Sequence, residues 1–226
     1  MRRFSMMDGI IIVNKPSGMT SHDVVSRARR KLGMRQIGHA GTLDPLATGV
    51  LVLLIGRGTK LFNKFESFDK AYKASLILGT RTTTADVQGE IIEQISFGHI
   101  SPQDMADVFK EFVGEIEQTP PMVSAVKVNG RRLYELARKG IEVERQARQV
   151  RIDALDLLEF QPPRVRFYLE CSKGTYVRKL AEDVGERLGC GACIAEIERT
   201  KVGPFKIEEA VALDDLSEKN IQSWRS

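Results

Sequence analysis

Apolar and polar positions along this chain change period several times, and each change marks an element. GIIIVNKP (9–16) opens with an unbroken apolar run that predicts a short buried strand, stopped by Pro16 because proline donates nothing to a ladder. The period then lengthens. Val24, Val25, Ala28 and Leu32 share one face of a helix, Thr20 and Asp23 have the spacing of a capping box, and Gly33 supplies the stop. VLVLLIG (50–56) predicts a second buried strand. In AYKASLIL (71–78), Tyr72, Ala74, Leu76 and Leu78 alternate with Lys73, Ser75 and Ile77, the two-residue repeat of a strand. SPQDMADVFKEFVG (101–114) predicts a helix capped by Ser101, with Pro102 at its first position and Gly114 at its end. VRIDALDLLEF (150–160) and RVRFYLEC (164–171) predict two strands joined through Gln161, Pro162 and Pro163. TYVRKLAEDVGERLG (175–189) returns to helical spacing, with Val177, Leu180, Ala181, Val184 and Leu188 on one face. The polar tail DLSEKNIQSWRS predicts a frayed end or a short helix. Hairpins mixed with separate helices imply an α+β fold around a mixed, mostly antiparallel sheet flanked by helices.

Composition narrows the class. The 226 residues are 42% hydrophobic and 28% charged, the balance of a globular chain able to bury a core, here expected to be one domain. No apolar run approaches the roughly 20 residues of a membrane span, and the one after MRRFSMMDG is too short for a secretory signal, so a cytoplasmic protein is expected. Cys190 and Cys193 form a C-x-x-C, but no second pair accompanies them and His22, His39 and His99 are scattered, so no metal site is expected. The net charge of +4 is concentrated. Arg27, Arg29, Arg30, Lys31 and Arg35 crowd one segment, and Lys127, Arg131, Arg132, Arg138 and Lys139 crowd another. The second group surrounds Asn129-Gly130, a tight-turn signal, and reads as a basic, partly helical arm. Two such clusters favour contacts with phosphates.

The candidate chemistry lies in GHAGTLDPLATGVL (38–51), which sets Asp44 before Pro45 in a loop containing Gly38, Gly41 and Gly49. Asp-Pro in such a loop is also ordinary turn chemistry. Pro45, however, biases Asp44 toward an extended backbone, and the apolar strand behind it is a rigid support for a nucleophile. KGTYVRKL places Arg178 in the first turn of a helix, where a cation opposes the helix dipole and calls for an anion, either a carboxylate or a phosphate. Neither a serine-nucleophile elbow, a phosphate loop, a dinucleotide fingerprint nor a zinc-protease motif is present, which leaves one carboxylate with an arginine partner as the best-supported unit.

These stretches carry a resemblance. IIVNKPSGMTSHDVV, IGHAGTLDPLATGVL, DKAYKASLILGTRTTTADVQG, PPMVSAVKVNGRRLYELARKGIEVERQAR, CSKGTYVRKLAEDVGERLG and RTKVGPF resemble, in order and over nearly the whole chain, the TruB-type pseudouridine synthases, which convert the T-loop uridine 55 of transfer RNA to pseudouridine. The resemblance implies the pseudouridine synthase fold, with an RNA-binding, thumb-like insertion at about 124–150. It implies Asp44 as the catalytic aspartate, Tyr72 against the target base and Arg178 as the ion-pair partner of Asp44. It implies that His39 enters the space the flipped base leaves, that Lys15 and Pro16 pack beside the catalytic loop, and that Asp86 lies on the active-site side. Ile197 would be an apolar wall, and Arg131 and Arg132 would meet RNA. No cofactor is implied, because the uracil is rejoined to the same ribose without redox change. The implied partner is the T-arm of transfer RNA, with no membrane, no obligate protein partner and a monomeric enzyme.

Two departures accompany the resemblance. Many members continue into a C-terminal PUA domain that this sequence does not show, and where members usually carry Leu-Arg-Arg this chain has Ile197-Glu198-Arg199, so a phosphate contact at 198 is expected to be missing. Two alternatives stand beside the main reading: a guide-RNA-dependent, dyskerin-like synthase, and a transfer-RNA-folding chaperone that needs no catalysis.

Overall fold

The computed structural model describes residues 8–124, 126–128, 130–137 and 139–224. In chain order the elements are β1 (Gly9–Lys15), α1 (Ser21–Leu32), β2 (Ile37–Ala40), β3 (Thr48–Ile55), α2 (Phe62–Glu66), β4 (Lys70–Leu78), β5 (Thr80–Thr82), β6 (Ile91–Gln94), α3 (Pro102–Glu111), β7 (Gly114–Gln118), β8 (Lys127–Val128), β9 (Arg131–Arg132), α4 (Leu133–Ala137), β10 (Arg148–Gln161), β11 (Arg164–Cys171), α5 (Val177–Arg187), β12 (Ala192–Val202), β13 (Phe205–Lys206) and β14 (Val211–Ala212). The fold is α+β, with mixed sheet and flanking helices. Among the described residues no helix is long and apolar enough to cross a membrane. The chain forms two compact units, one running to Tyr72 and resuming at Glu198, the other Lys73–Ile197.

In the first unit the strand order is β14-β1-β3-β12. β1 and β3 run antiparallel over their whole length, from Gly9 opposite Ile55 to Lys15 opposite Gly49. Their unbroken apolar runs follow from burial on both faces: Ile10, Ile12, Val50, Val52 and Leu54 join a cluster with Phe65 and Phe205, while Ile11, Val13, Leu51 and Leu53 are equally buried. Helix α1 has the expected capping box, Thr20 with Asp23, and the left-handed stop at Gly33 (φ 62°). The other edge of β3 is divided. β2 pairs with it from Ile37 opposite Ile55 to Ala40 opposite Val52, and β12 then runs parallel to it at Glu198–Thr48 and Arg199–Gly49. With β12 beside Thr48 and Gly49, β2 cannot continue along β3, so residues 41–47 must leave the sheet as a loop.

In the second unit the order is β4-β11-β10-β7. Met105 and Phe109 of α3 and Val177, Leu180, Ala181 and Val184 of α5 are buried, as are Val165, Phe167 and Leu169 of β11. Phe109 meets Phe167 edge to face at 5.8 Å. The amide of Tyr176, which precedes α5, donates to Oε1 of the buried Gln118 (2.9 Å), so a remote amide side chain does the capping.

Boundaries differ from expectation where tertiary contacts decide. The helix expected to Gly114 ends at Glu111, and Gly114 (φ 107°) opens β7. The tail, expected to fray or end in a short helix, takes a short 3-10 turn at Glu218–Asn220 and is held down: Leu213 and Leu216 are buried, Ile10 and Gln222 exchange backbone hydrogen bonds (3.0 and 2.9 Å), and Trp224 packs against Phe65 and Phe205. Its few apolar residues meet a cluster that only the folded chain assembles.

Candidate active site

Asp44 is half-buried at the crest of the 41–47 loop, and nearly every carbonyl around it is held. Lys15, at the end of β1, is fully buried, and its Nζ donates to the carbonyls of Pro16 (2.8 Å), Met19 (2.6 Å) and Pro45 (3.3 Å). The Pro45 carbonyl also accepts from the Gly18 amide (2.8 Å), and that of Leu46 from the Ser17 hydroxyl (3.2 Å). The buried Ser21 hydroxyl donates to the Leu43 carbonyl (3.1 Å) and accepts from the Leu43 amide (2.9 Å). Asp44 closes its own turn by accepting from the Ala47 amide (3.1 Å). Arg199, 1% exposed, donates through Nε to Val50 (2.8 Å) and through its terminal nitrogens to Gly41 (2.9 Å) and Thr42 (3.5 Å). Each carbonyl stripped of water and left unmade would cost about 1–3 kcal/mol, so this pairing fixes the loop rather than merely decorating it.

The buried cations shape the electrostatics. Burial above all, and then Arg199, pull Lys15 down from 10.5 to about 8, while Asp44 and Asp23 partly restore it. Lys15 is therefore still largely charged at neutral pH. His39 lies on β2, not in a loop as its glycine neighbours suggested. Burial, then Arg199 and His22, bring its imidazole to about 4, so the ring is neutral above mildly acid pH, and its buried Nδ1 makes no hydrogen bond. Pro16 is exposed beside Lys15, and Tyr72 is 7% exposed near the start of β4.

Arg178 occupies the first turn of α5, as its spacing suggested, and is 3% exposed. Its terminal nitrogens donate to the carbonyls of Thr84 and Val123 (2.8 Å each), and its Nε stands 3.8 Å from Oδ2 of the buried Asp86. A carboxylate thus meets the cation that opposes the helix dipole. Asp86 is itself fixed: its Oδ1 accepts from Thr84 Oγ1 (2.6 Å) and the Gln88 amide (3.0 Å), and its carbonyl from Thr82 Oγ1 (2.7 Å). Ala85 just before it holds φ 58°, a left-handed conformation unusual for a residue with a Cβ and the kind of local strain that collects at functional sites. Ile197 is buried on β12.

The structure thus gathers Asp44, Lys15, His39 and Arg199 in one unit, and Arg178 and Asp86 in the other. The basic clusters are less free than the sequence suggested. Arg27 pairs with Asp214, Lys31 donates to the Asp214 carbonyl, and Arg29 donates to the Ile37 carbonyl (2.7 Å). Arg131 is exposed on β9, whereas the side chain of Arg132, together with Asn129 and Arg138, lies outside the described residues. Glu198, with Arg27, Asp214 and Thr48, lines an open groove of about 450 Å³. Cys171, Cys190 and Cys193 are buried thiols, and burial pushes Cys193 up to about 11. Sequence reasoning missed Ser21 and Arg199, which hold the loop, because a helix residue after a cap and an arginine in an unassigned strand carry no local signal of a remote backbone contact.

Known proteins share this arrangement of chain. The model of the TruB family pseudouridylate synthase N-terminal domain matches residues 29–177, and that of the tRNA pseudouridylate synthase B C-terminal domain matches 178–225. Proteins named tRNA pseudouridine synthase B are similar: that of Syntrophotalea carbinolica is 50% identical over 93% of this chain and 69% of its own length, and that of Geobacter sulfurreducens 48% over 94% and 70%. Among solved structures, a chain of a Cbf5-Nop10-Gar1 complex superposes with a TM-score of 0.74 at 32% identity, covering 93% of this chain and 54% of that one. This chain thus spans about half the length of that solved relative. With the two models matched end to end over 29–225, the chain belongs to the TruB family of pseudouridylate synthases.

Proposed function

We propose that this chain isomerises a uridine of transfer RNA, the one at position 55 in the T-loop, to pseudouridine. The observation that carries the reading is the Asp44 loop: an accessible carboxylate on a backbone held by two buried cations and a buried hydroxyl. That support matches what covalent or electrostatic catalysis requires of a nucleophile. The reaction is balanced within the substrate. The bond between ribose C1′ and uracil N1 breaks, a bond from C1′ to C5 forms, the C5 proton leaves and N1 gains one. It calls on no oxidant and no added group.

The roles follow the resemblance. Asp44 adds to ribose or ring, Tyr72 stacks on the uracil, and His39, neutral and so cheap to desolvate, fills the space the extruded base leaves. Arg178 takes the part of cationic partner to the carboxylate, and its restraint by Asp86, Thr84 and Val123 suits that part. Lys15 and Pro16 buttress the loop, Ile197 gives an apolar wall, and the arm around Arg131 and Arg132 meets the phosphates of the T-arm. The working form is a cytoplasmic monomer without an obligate protein partner. Incubation of the purified chain with one unmodified transfer RNA, followed by mass mapping, tests the reading. Product at the T-loop uridine without added guide RNA supports it, and no product, or product only with a guide, overturns it. The solved Cbf5 chains keep the guide-dependent alternative in view, but at 32% identity against 50% for the tRNA enzyme they favour it less.

A further inference from the structure

We propose that Arg199, assisted by Ser21, is a positioning residue that sets the direction of the Asp44 carboxylate. The proposal rests on the reading of Asp44 as the catalytic group. Arg199 touches the catalytic segment twice. Its main chain runs beside Gly49, where any Cβ would collide with the Arg199 carbonyl, so the strands can approach this closely only with glycine at φ 99°. Its guanidinium then turns along the loop and gathers the carbonyls of Gly41 and Thr42 at the loop's start and Val50 just past its end. A planar fork with five donors can tie two chain segments nine residues apart in one plane, which a single ammonium cannot do.

Ser21 completes the restraint from the other side. Its hydroxyl closes a two-way bond with the backbone of Leu43, the residue immediately before Asp44. Gly41, Thr42 and Leu43 are thereby fixed in succession, and the hydrogen bond from Ala47 to Asp44 closes the far side of the loop. Burying a guanidinium among apolar strands costs several kcal/mol that a leucine would not. Spending it on carbonyls that flank one carboxylate makes sense where the direction of that carboxylate matters. Misplacement of a reacting group by about 1 Å can cost on the order of a hundredfold in rate.

The test measures kcat and KM on transfer RNA for Arg199→Lys, Arg199→Gln and Ser21→Ala. Phe65→Leu, in the aromatic cluster of the same unit, serves as a control for lost stability. Expected is a fall in kcat of about a hundredfold for Arg199→Gln, a smaller fall for Arg199→Lys and about tenfold for Ser21→Ala, with KM within about twofold of the parent. Phe65→Leu, assayed at the temperature where it has lost as much folded protein, should keep the parent rate per folded molecule. The proposal is overturned if a folded Arg199 variant or Ser21→Ala turns over at the parent kcat, or if the losses match those of Phe65→Leu. Should both Arg199 variants fail to fold, Ser21→Ala alone decides. Asp44→Asn run alongside separates the two readings: product from it sinks the catalytic assignment, whereas parent rates at 199 and 21 with no product from Asp44→Asn sink only the positioning claim.

Discussion

Residues 41–47 and the described residues of 126–147 both lie outside the long strands, yet they are held very differently. The first has its carbonyls gathered by Lys15, Arg199 and Ser21, all buried. Among its described side chains the second buries Leu133 and Leu136 and makes bonds such as Leu133 N–H to the Val126 carbonyl (2.8 Å), while Arg131 and Lys139 stay exposed and 141–147 form no helix or strand. A segment without regular structure can be as firmly determined as a strand when buried donors meet its carbonyls. In the proposed reaction the first region needs one geometry and the second needs only charge and reach, and the construction follows that division.

The contrast can be broken at several points. The largest effect is expected at Asp44: Asp44→Asn should lower product formation by at least about 10³-fold while a gel-shift titration shows transfer RNA still bound. Equal loss of binding would mean that the loop serves recognition rather than chemistry. Next is Lys15→Met, which takes the Nζ donor from the Pro16, Met19 and Pro45 carbonyls, the last keeping only the Gly18 amide, and should cost about 3 kcal/mol in urea unfolding. The folded parent releases the Lys15 proton near pH 8 and the unfolded chain near 10.5, so parental stability should rise between those values, a rise the variant should lack.

His39 gives a smaller signal of related origin. Between pH 6.5 and about 4 the unfolded chain takes up a proton that the folded ring refuses, so stability falls with acid over that window. His39→Gln should remove about 2 kcal/mol of that fall, less than the full conversion because the ring is partly solvated. A parallel acid profile in parent and variant would show that the ring is not desolvated. Smallest is the arm: Arg131→Gln should raise KM about threefold at unchanged kcat and reduce the slope of log affinity against log salt by about one. A kcat effect there instead would erase the distinction between the two regions.

Much of this was legible in the residues. The strands at 9–15 and 164–171, the capping box at Thr20 and Asp23, and Arg178 in a first helical turn come from local pattern, because each is decided by neighbours in sequence. β12 was not read, because ACIAEIERTKV mixes buried and exposed positions without a clean period. Ser21 and Arg199 were missed for a related reason: their partners lie 22 and 158 residues away, and a hydrogen bond to a carbonyl leaves no trace in residue type. The burial of Lys15 is likewise settled by carbonyls up to 30 residues away, which its own residue type does not announce.

The three interior thiols have a practical consequence. With Cys171, Cys190 and Cys193 each 1% exposed or less, and Cys193 slow to ionise, maleimide dyes should ignore the native sulfurs at neutral pH. One cysteine introduced at an open position such as Lys139 would then take a single fluorophore on the otherwise unaltered chain, and its emission would report RNA arriving at that segment in real time.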